Sequence, residues 1–199
     1  MTTIPASIDG VPVTTRTAMK MEDSLQAFAV RAACFIGELD VPYTEEFDGH
    51  DFGATHIVAY LGEEPVGTVR MRWFQAFAMP ERLCVIQRFR GHDVGRLLIE
   101  RCRKLAESRG CNMLYVHVLP NDMAYWEKQG WRRLDPEAPP ASNGTVALVR
   151  PVAEAQAVVA EQAPEVVTIR QHAPAAGASR GRRTSLGRWC SSRLRPRPS

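Results

Sequence analysis

The run QRFRGHDVGRLLIERCRKLAESRG at residues 87–110, set between the apolar blocks LCVI (83–86) and MLYVHVL (113–119), constrains the fold more than any other part of the chain. Val94, Leu97, Leu98, Cys102, Leu105 and Ala106 recur at helical spacing, with Arg96, Glu100, Arg103, Lys104 and Glu107 opposite them and Gly110 as the stop. Strand, helix of about four turns, strand is a βαβ unit. The two apolar blocks are therefore expected to run parallel, joined by a right-handed crossover. An ordinary connection does not call for Arg88, Arg90, Gly91, His92, Asp93, Gly95 and Arg96 in one turn. A loop that holds an anion does. The first turn of a helix leaves backbone N–H groups unpaired and carries about half a positive charge, and glycines let a phosphate come close to them. Arg90 and Arg96 would add charge-assisted bonds from either side. The competing reading is a surface connection with solvated arginines.

The rest of the chain supplies the frame. PVTTRTA (12–18) alternates like a first strand, and Leu25, Phe28, Ala32, Phe35, Ile36 and Leu39 mark a helix with Asp23 or Ser24 as N-cap and Pro42 as its end. Residues 43–54 are acidic and read as a short helix or a loop. THIVAYL, the turn GEEP and VGTVRMRWF form a hairpin in which Arg70 and Arg72 oppose Val69, Met71 and Trp73. ERLCVIQRF is the next strand, and the nearly unbroken apolar run NMLYVHVL predicts a strand buried on both faces. NDMAYWEKQGW reads as a short helix ending at Gly130, and TVALVRPV as the last strand. This gives one domain over 1–152 and an extension over 153–199, rich first in Ala and Pro and then in Arg, that reads as disordered.

Charge is unevenly spread. Residues 170–199 hold eight Arg and no acid, leaving 17 basic and 22 acidic side chains in the rest, so the net charge of +3 describes neither part. Such a tail suits nonspecific phosphate contacts with nucleic acid, or is a plain solvated extension; Trp189 is its one aromatic, so no base-stacking device is apparent. No apolar run approaches the roughly 20 residues of a membrane helix, so no membrane association is expected. The first ten residues lack the basic and apolar regions of a secretory signal. Five cysteines without a C-x-x-C pair or metal-like spacing point to reduced thiols, a cytoplasmic protein and no metal site.

The segment RGHDVG resembles the signature of the GNAT superfamily of acetyl-CoA-dependent N-acetyltransferases: Arg or Gln, two residues, Gly, one residue, then Gly or Ala, after a strand and at the start of a helix. Arg90 takes its first place and Gly95 its last. YWEKQGW is similar to the family's aromatic–Tyr–Glu–Lys–x–Gly–aromatic helix. The resemblance spans residues 12–150 in element order and is specific over 81–131. It implies a mixed α/β fold, a mostly antiparallel central sheet flanked by helices, with one parallel strand pair that splays apart. The cosubstrate would be acetyl-CoA, its pantetheine arm lying between strands 81–88 and 112–119, with backbone N–H groups of Leu83, Cys84 and Val85 on the arm and the thioester oxygen. Arg90, Gly91, His92, Asp93, Val94, Gly95 and Arg96 would hold the pyrophosphate.

Two departures stand out. Asp93 occupies the middle glycine's place, as a helix cap or as a partner for Arg96, with capping the favoured reading. Trp126 stands where the family commonly has the Tyr that protonates the leaving thiolate, and the adjacent Tyr125 points about 100° away on a helix. Tyr125 is the candidate acid. By the same resemblance Glu81 is the leading general base, unless it is spent on an ion pair with Arg70, Arg72 or Arg82. His117 is the alternative base, read first as a hydrogen-bonded core residue. Asn121 is either a pantetheine contact or a helix N-cap. Tyr125, Trp126 and Trp131 line an acyl pocket or belong to the core, and Cys84 is a packed thiol. Arg70 and Arg72 would draw an acidic acceptor or are ordinary surface residues. The implied reaction is transfer of an acetyl or short acyl group to an amine, whose identity residues 24–54 would set. A non-catalytic acyl-CoA-binding domain and a nucleic-acid-associating protein are the competing functions, and a homodimer is left open.

Overall fold

The structure, a computed structural model, describes residues 6–152. The extension read as disordered and its Arg-rich end lie outside those residues. The chain forms β1 (Ser7–Ile8), β2 (Val11–Thr17), α1 (Met21–Arg31), a π-helical continuation (Ala32–Gly37), α2 (Tyr43–Glu46), β3 (Thr55–Leu61), β4 (Glu64–Trp73), β5 (Ala78–Val85), α3 (Val94–Ser108), β6 (Met113–Val118), α4 (Met123–Glu127), β7 (Arg132–Arg133) and β8 (Val146–Pro151). Single 3₁₀ turns at Gln87–Phe89 and Pro120–Asp122 precede α3 and α4. The eight strands make one sheet in the order β1-β2-β3-β4-β5-β6-β8-β7. Every neighbouring pair is antiparallel except β5 and β6.

Strand alternation sorts the core into two layers. Ile57, Ala59, Val69 and Met71 pack with Val94, Leu98, Cys102 and Ala106 of α3, while Val58 and Tyr60 meet Ala27 of α1. Cys84 joins Val30, Cys34, Phe35 and Val41 in a third cluster. Odd and even positions of a strand face opposite sides, so α1 and α3 cover opposite faces of the same sheet. Gly67 permits the close seating of α3: a Cβ there would lie 3.1 Å from the Cys84 carbonyl oxygen and 3.2 Å from Val94. The β3–β4 hairpin closes Leu61 against Glu64, so its turn is two residues, with Gly62 at φ +61°.

Three local expectations are corrected. The N-cap of α1 is Lys20 rather than Asp23 or Ser24. Asp23 stands one turn inside, where its carboxylate accepts from the N–H groups of Met19 (3.0 Å) and Lys20 (3.2 Å). The strand before the loop starts at Ala78, three residues earlier than the sequence suggested, and ends at Val85. β6 is buried on one face only: Leu114, Val116 and Val118 are covered, Tyr115 is half-buried and His117 is exposed. Its apolar run reflects one core face and one aromatic, open face.

Candidate active site

The parallel strands separate almost as soon as they meet. Ala78 opposite Leu114 is the one register position shared by β5 and β6. On its other edge β5 pairs with β4, and there Glu81 faces Arg70 and Cys84 faces Thr68. Two residues of β5, Arg82 and Leu83, therefore oppose the single Val69 on β4. This is a β-bulge, which bends its strand and increases the local twist. Arg82 sits at φ +50°, a left-handed conformation that costs a non-glycine residue of order 1–3 kcal/mol. Its guanidinium is pinned by the Glu45 carbonyl (2.6 Å), Glu46 (3.2 Å) and Asp48 (3.2 Å), which offsets that strain. Past Ala78 no residue of β5 is in register with β6, which leaves a gap in the ladder alongside the bulge and Leu83–Val85.

The loop that follows leads into α3. Gly91 takes φ +88° and Asp93 φ +58°. Asp93 holds the N-cap position of α3 but caps nothing with its side chain, because a cap reaches the first-turn N–H groups from an extended backbone and this one is left-handed. The capping expectation is thereby corrected: its carboxylate pairs with Arg96 at 3.1 Å instead. Arg90 is likewise engaged within the protein. Its side chain turns inward, donating to the Val85 carbonyl (2.7 Å) and to Glu38 (2.8 Å), and is only 6 % exposed. It ties the loop to the end of β5 and to the segment after α1. His92 is exposed, its Nδ1 3.4 Å from the Phe89 carbonyl. Any anion here would meet the first-turn N–H groups of Val94, Gly95 and Arg96 together with the helix dipole.

Beneath residues 43–54 lies a buried ionic cluster. Arg70, 1 % exposed, donates to Asp48 (2.7 and 2.8 Å), Asp51 (3.2 Å) and Glu81 (2.8 and 3.1 Å). Arg72 donates to the other Glu81 oxygen at 3.2 Å. Arg31, fully buried in α1, bonds Glu46 and Asp51. Burial alone would raise the Asp48 carboxyl, yet the hydrogen bonds and charge of Arg70 outweigh it and hold Asp48 well below the usual carboxylate range. Burial likewise opposes Asp51, and Arg31 and Arg70 hold it down. Glu46 goes the other way: its burial exceeds the help of Arg82 and Arg31 and pushes it up. Of the two readings of Glu81, the structure displays the ion pair, with both oxygens on guanidinium donors. Arg70 is correspondingly not a surface residue open to an acidic acceptor. Arg72, with Gly49, His50, Gly53, Trp73 and Phe74, lines a cavity of about 270 Å³ beside the cluster.

In α4, Trp126 is 3 % exposed and packs edge-on against Trp131 (5.1 Å) and Tyr125 (5.9 Å). Trp126 and Trp131 belong to the core, and Tyr125 is half-buried at its margin. Asn121 is exposed within the 3₁₀ turn; the N-cap of α4 is Asp122, and neither turn has a side-chain cap, which corrects the Asn121 expectation. Cys84 is a packed thiol hydrogen-bonded to Cys34, with burial pushing its pKa far up. His117 is not the core residue expected. It sits on the open face of β6 between Tyr115 (3.0 Å) and Thr145 (3.2 Å), a constellation that needs the loop before β8 and has no signature in the local sequence.

Residues 24–131 match the acetyltransferase (GNAT) family. The chain is 34% identical over 116 residues to the uncharacterized N-acetyltransferase YjcF of Bacillus subtilis, covering 58% of this chain and 83% of that protein. Its fold is similar to a Lactobacillus plantarum crystal structure at TM-score 0.65 and 23% identity, covering 71% of this chain and 99% of that one. It also resembles an aminoglycoside 6′-N-acetyltransferase complexed with coenzyme A at TM-score 0.58 and 13% identity, covering 72% and 98%. At these identities the two structures share the fold. No helix among the described residues is long and apolar enough to cross a membrane.

Proposed function

Since the chain belongs to the acetyltransferase (GNAT) family, we propose that it transfers an acetyl or short acyl group from acetyl-CoA to an amine by direct attack on the thioester. The observation that carries this reading is the gap in pairing between β5 and β6, beside the bulge at Arg82 on the strand that leads to the uncapped start of α3. The pantetheine arm would lie in that gap, along the backbone of Leu83, Cys84 and Val85. Donors on this edge would receive the negative charge that grows on the thioester oxygen as the amine attacks. Gly91, Asp93, Val94, Gly95 and Arg96 would embrace the diphosphate, chiefly through backbone N–H groups. Arg90 would act one step removed, by holding the loop's shape, and His92 would stand at its rim.

Trp126 is buried and has no hydroxyl, so in this reading protonation of the departing thiolate passes to Tyr125. Glu81, fixed between Arg70 and Arg72, supplies a localised negative charge near the reacting amine. The acceptor would enter from the cavity beside Arg72, Trp73 and Phe74, under the cover of residues 43–54.

The test is release of CoA thiol by the purified protein over a broad amine panel. At least one amine should raise release well above the hydrolysis of acetyl-CoA alone. The buried Trp126 favours one competing reading, a binding domain without turnover. Saturable acetyl-CoA binding with no thiol release across the panel would establish that reading in place of the first.

A further inference from the structure

On the open face of β6, four residues form a chain of hydrogen bonds with one direction. The Thr145 hydroxyl donates to the Asn143 side-chain oxygen at 2.7 Å. That oxygen also accepts the Thr145 backbone N–H at 3.1 Å, which fixes the orientation of the Asn143 amide. A hydroxyl has one hydrogen, so Thr145 Oγ1 is left only lone pairs for His117 Nδ1, 3.2 Å away. Nδ1 must then carry the imidazole hydrogen, and in the neutral ring Nε2 is the acceptor. Nε2 lies 3.0 Å from the Tyr115 hydroxyl, which donates to it. The rings of Tyr115 and His117 meet edge to face at 5.0 Å, and Phe77 supports Tyr115 at 5.3 Å.

The placement gives this chain a purpose. Tyr115 and His117 follow Leu114, the last residue of β6 in register with β5, so they flank the gap assigned above to the thioester. Resting on that reading, we infer that Tyr115 and His117 are the proton-accepting pair of the reaction, with Thr145 and Asn143 as positioning residues. An ammonium on the acceptor gives a proton to the Tyr115 oxygen while Tyr115 passes its own to His117 Nε2. The net result is a neutral amine and an imidazolium. The amine attacks the thioester carbonyl, the C–S bond breaks, and the nitrogen's second proton ends on the thiolate. His117 returns its proton to water through its exposed edge.

The surroundings suit both states of the ring. Partial loss of water beside Tyr115 and Thr145 lowers the His117 pKa, while the Glu81 carboxylate on β5 works in the opposite direction and favours the imidazolium once formed. Tyr115 on the same strand is raised by burial, so it stays a phenol and acts only as a conduit. Arg70 and Arg72 on β4 are turned to Glu81, and the facing loop offers the neutral Thr145 and Asn143. The arrangement was hidden from sequence because Asn143 and Thr145 lie 26 and 28 residues from His117 and are brought to it by the β6–β8 pairing.

Two arms test the inference on the full chain. Nitrogen NMR of the imidazoles should find His117 as the Nδ1–H tautomer with an acceptor Nε2; the Nε2–H tautomer would overturn the relay without any substrate. In the kinetic arm, kcat/KM of the wild type should fall on the acid side with the His117 pKa measured by NMR. Tyr115→Phe and His117→Gln should each lower kcat by about a hundredfold or more, abolish that acid limb, and leave the KM for acetyl-CoA within twofold. Variants with wild-type kcat and pH profile would refute the relay while acyl transfer stands. A wild type whose thiol release no amine of the panel raises would instead sink the acyl-transfer reading and the pair's role together.

Discussion

Replacing Arg70 with Met should cost about 3–5 kcal/mol of folding stability, the range for breaking a buried ion pair by removing one partner. Arg70 is 1 % exposed and is shared by Asp48, Asp51 and Glu81. Methionine fills much of the space but leaves three carboxylates gathered around a hole in the positive charge. Denaturant midpoints at pH 7 check this, and a variant within 1 kcal/mol of the wild type would contradict it. The pH dependence sharpens the test. Asp48 and Asp51 have folded-state pKa values below their unfolded values near 3.9. Their contribution is therefore complete above about pH 4 and is lost as pH falls through the lower folded values. Glu46, raised by burial, has the opposite sign and favours folding in its protonated form. Below about pH 4 the wild type therefore loses what Asp48 and Asp51 contribute, with Glu46 working against that loss. In Arg70→Met that acid limb should flatten, since the cation responsible for much of it is gone.

The second large effect concerns binding. Gly95→Glu should weaken acetyl-CoA by about a hundredfold or more, equivalent to about 2.7 kcal/mol. Gly95 is buried in the first turn of α3, between the left-handed Asp93 and Arg96. A carboxylate introduced there brings like charge to the diphosphate, at a cost of several kcal/mol, and removes the room that a glycine leaves for close approach. Gly95→Ala, which adds bulk without charge, should fall between the two, so the series separates space from repulsion. Calorimetric titration measures all three, with circular dichroism to verify the helix. A Gly95→Glu affinity within threefold of the wild type would mean that the diphosphate lies elsewhere.

Local pattern made much of the architecture readable in advance. The amphipathic face of α3, the period-2 alternation of β4 and the presence of a turn at Gly62 are each written in a short window, because one helix face or one strand face meets a single partner surface; the turn is two residues where GEEP suggested four. The site was less legible for a physical reason: its decisive features depend on what folds over what. Arg82 adopts a left-handed backbone without a glycine to advertise it, held there by acceptors some 34 to 37 residues earlier. Arg90 looked like an anion ligand because it sits in an anion-like loop, yet the Val85 carbonyl and Glu38, 52 residues away, draw it inward. Arg70 resembled a surface arginine until residues 43–54 closed above it. The sequence does carry one signal of the ionic cluster. The acids Glu46, Asp48 and Asp51 cluster in a short stretch, and Arg31, Arg70 and Arg82 sit on elements that must pack against it. Tyr115 and His117 were similarly masked, since an apolar run that serves one buried face can carry an aromatic open face within the same six residues.

Acyl transfer by this chain requires the gap between β5 and β6 to receive the coenzyme arm. Amide hydrogen exchange at Leu83, Cys84 and Val85, followed with and without saturating acetyl-CoA, tests it most directly. Amides on the β5 edge facing the gap should exchange rapidly in the free protein and become strongly protected on binding, together with those of Val94, Gly95 and Arg96. Unchanged exchange at these positions under saturating coenzyme would contradict the account.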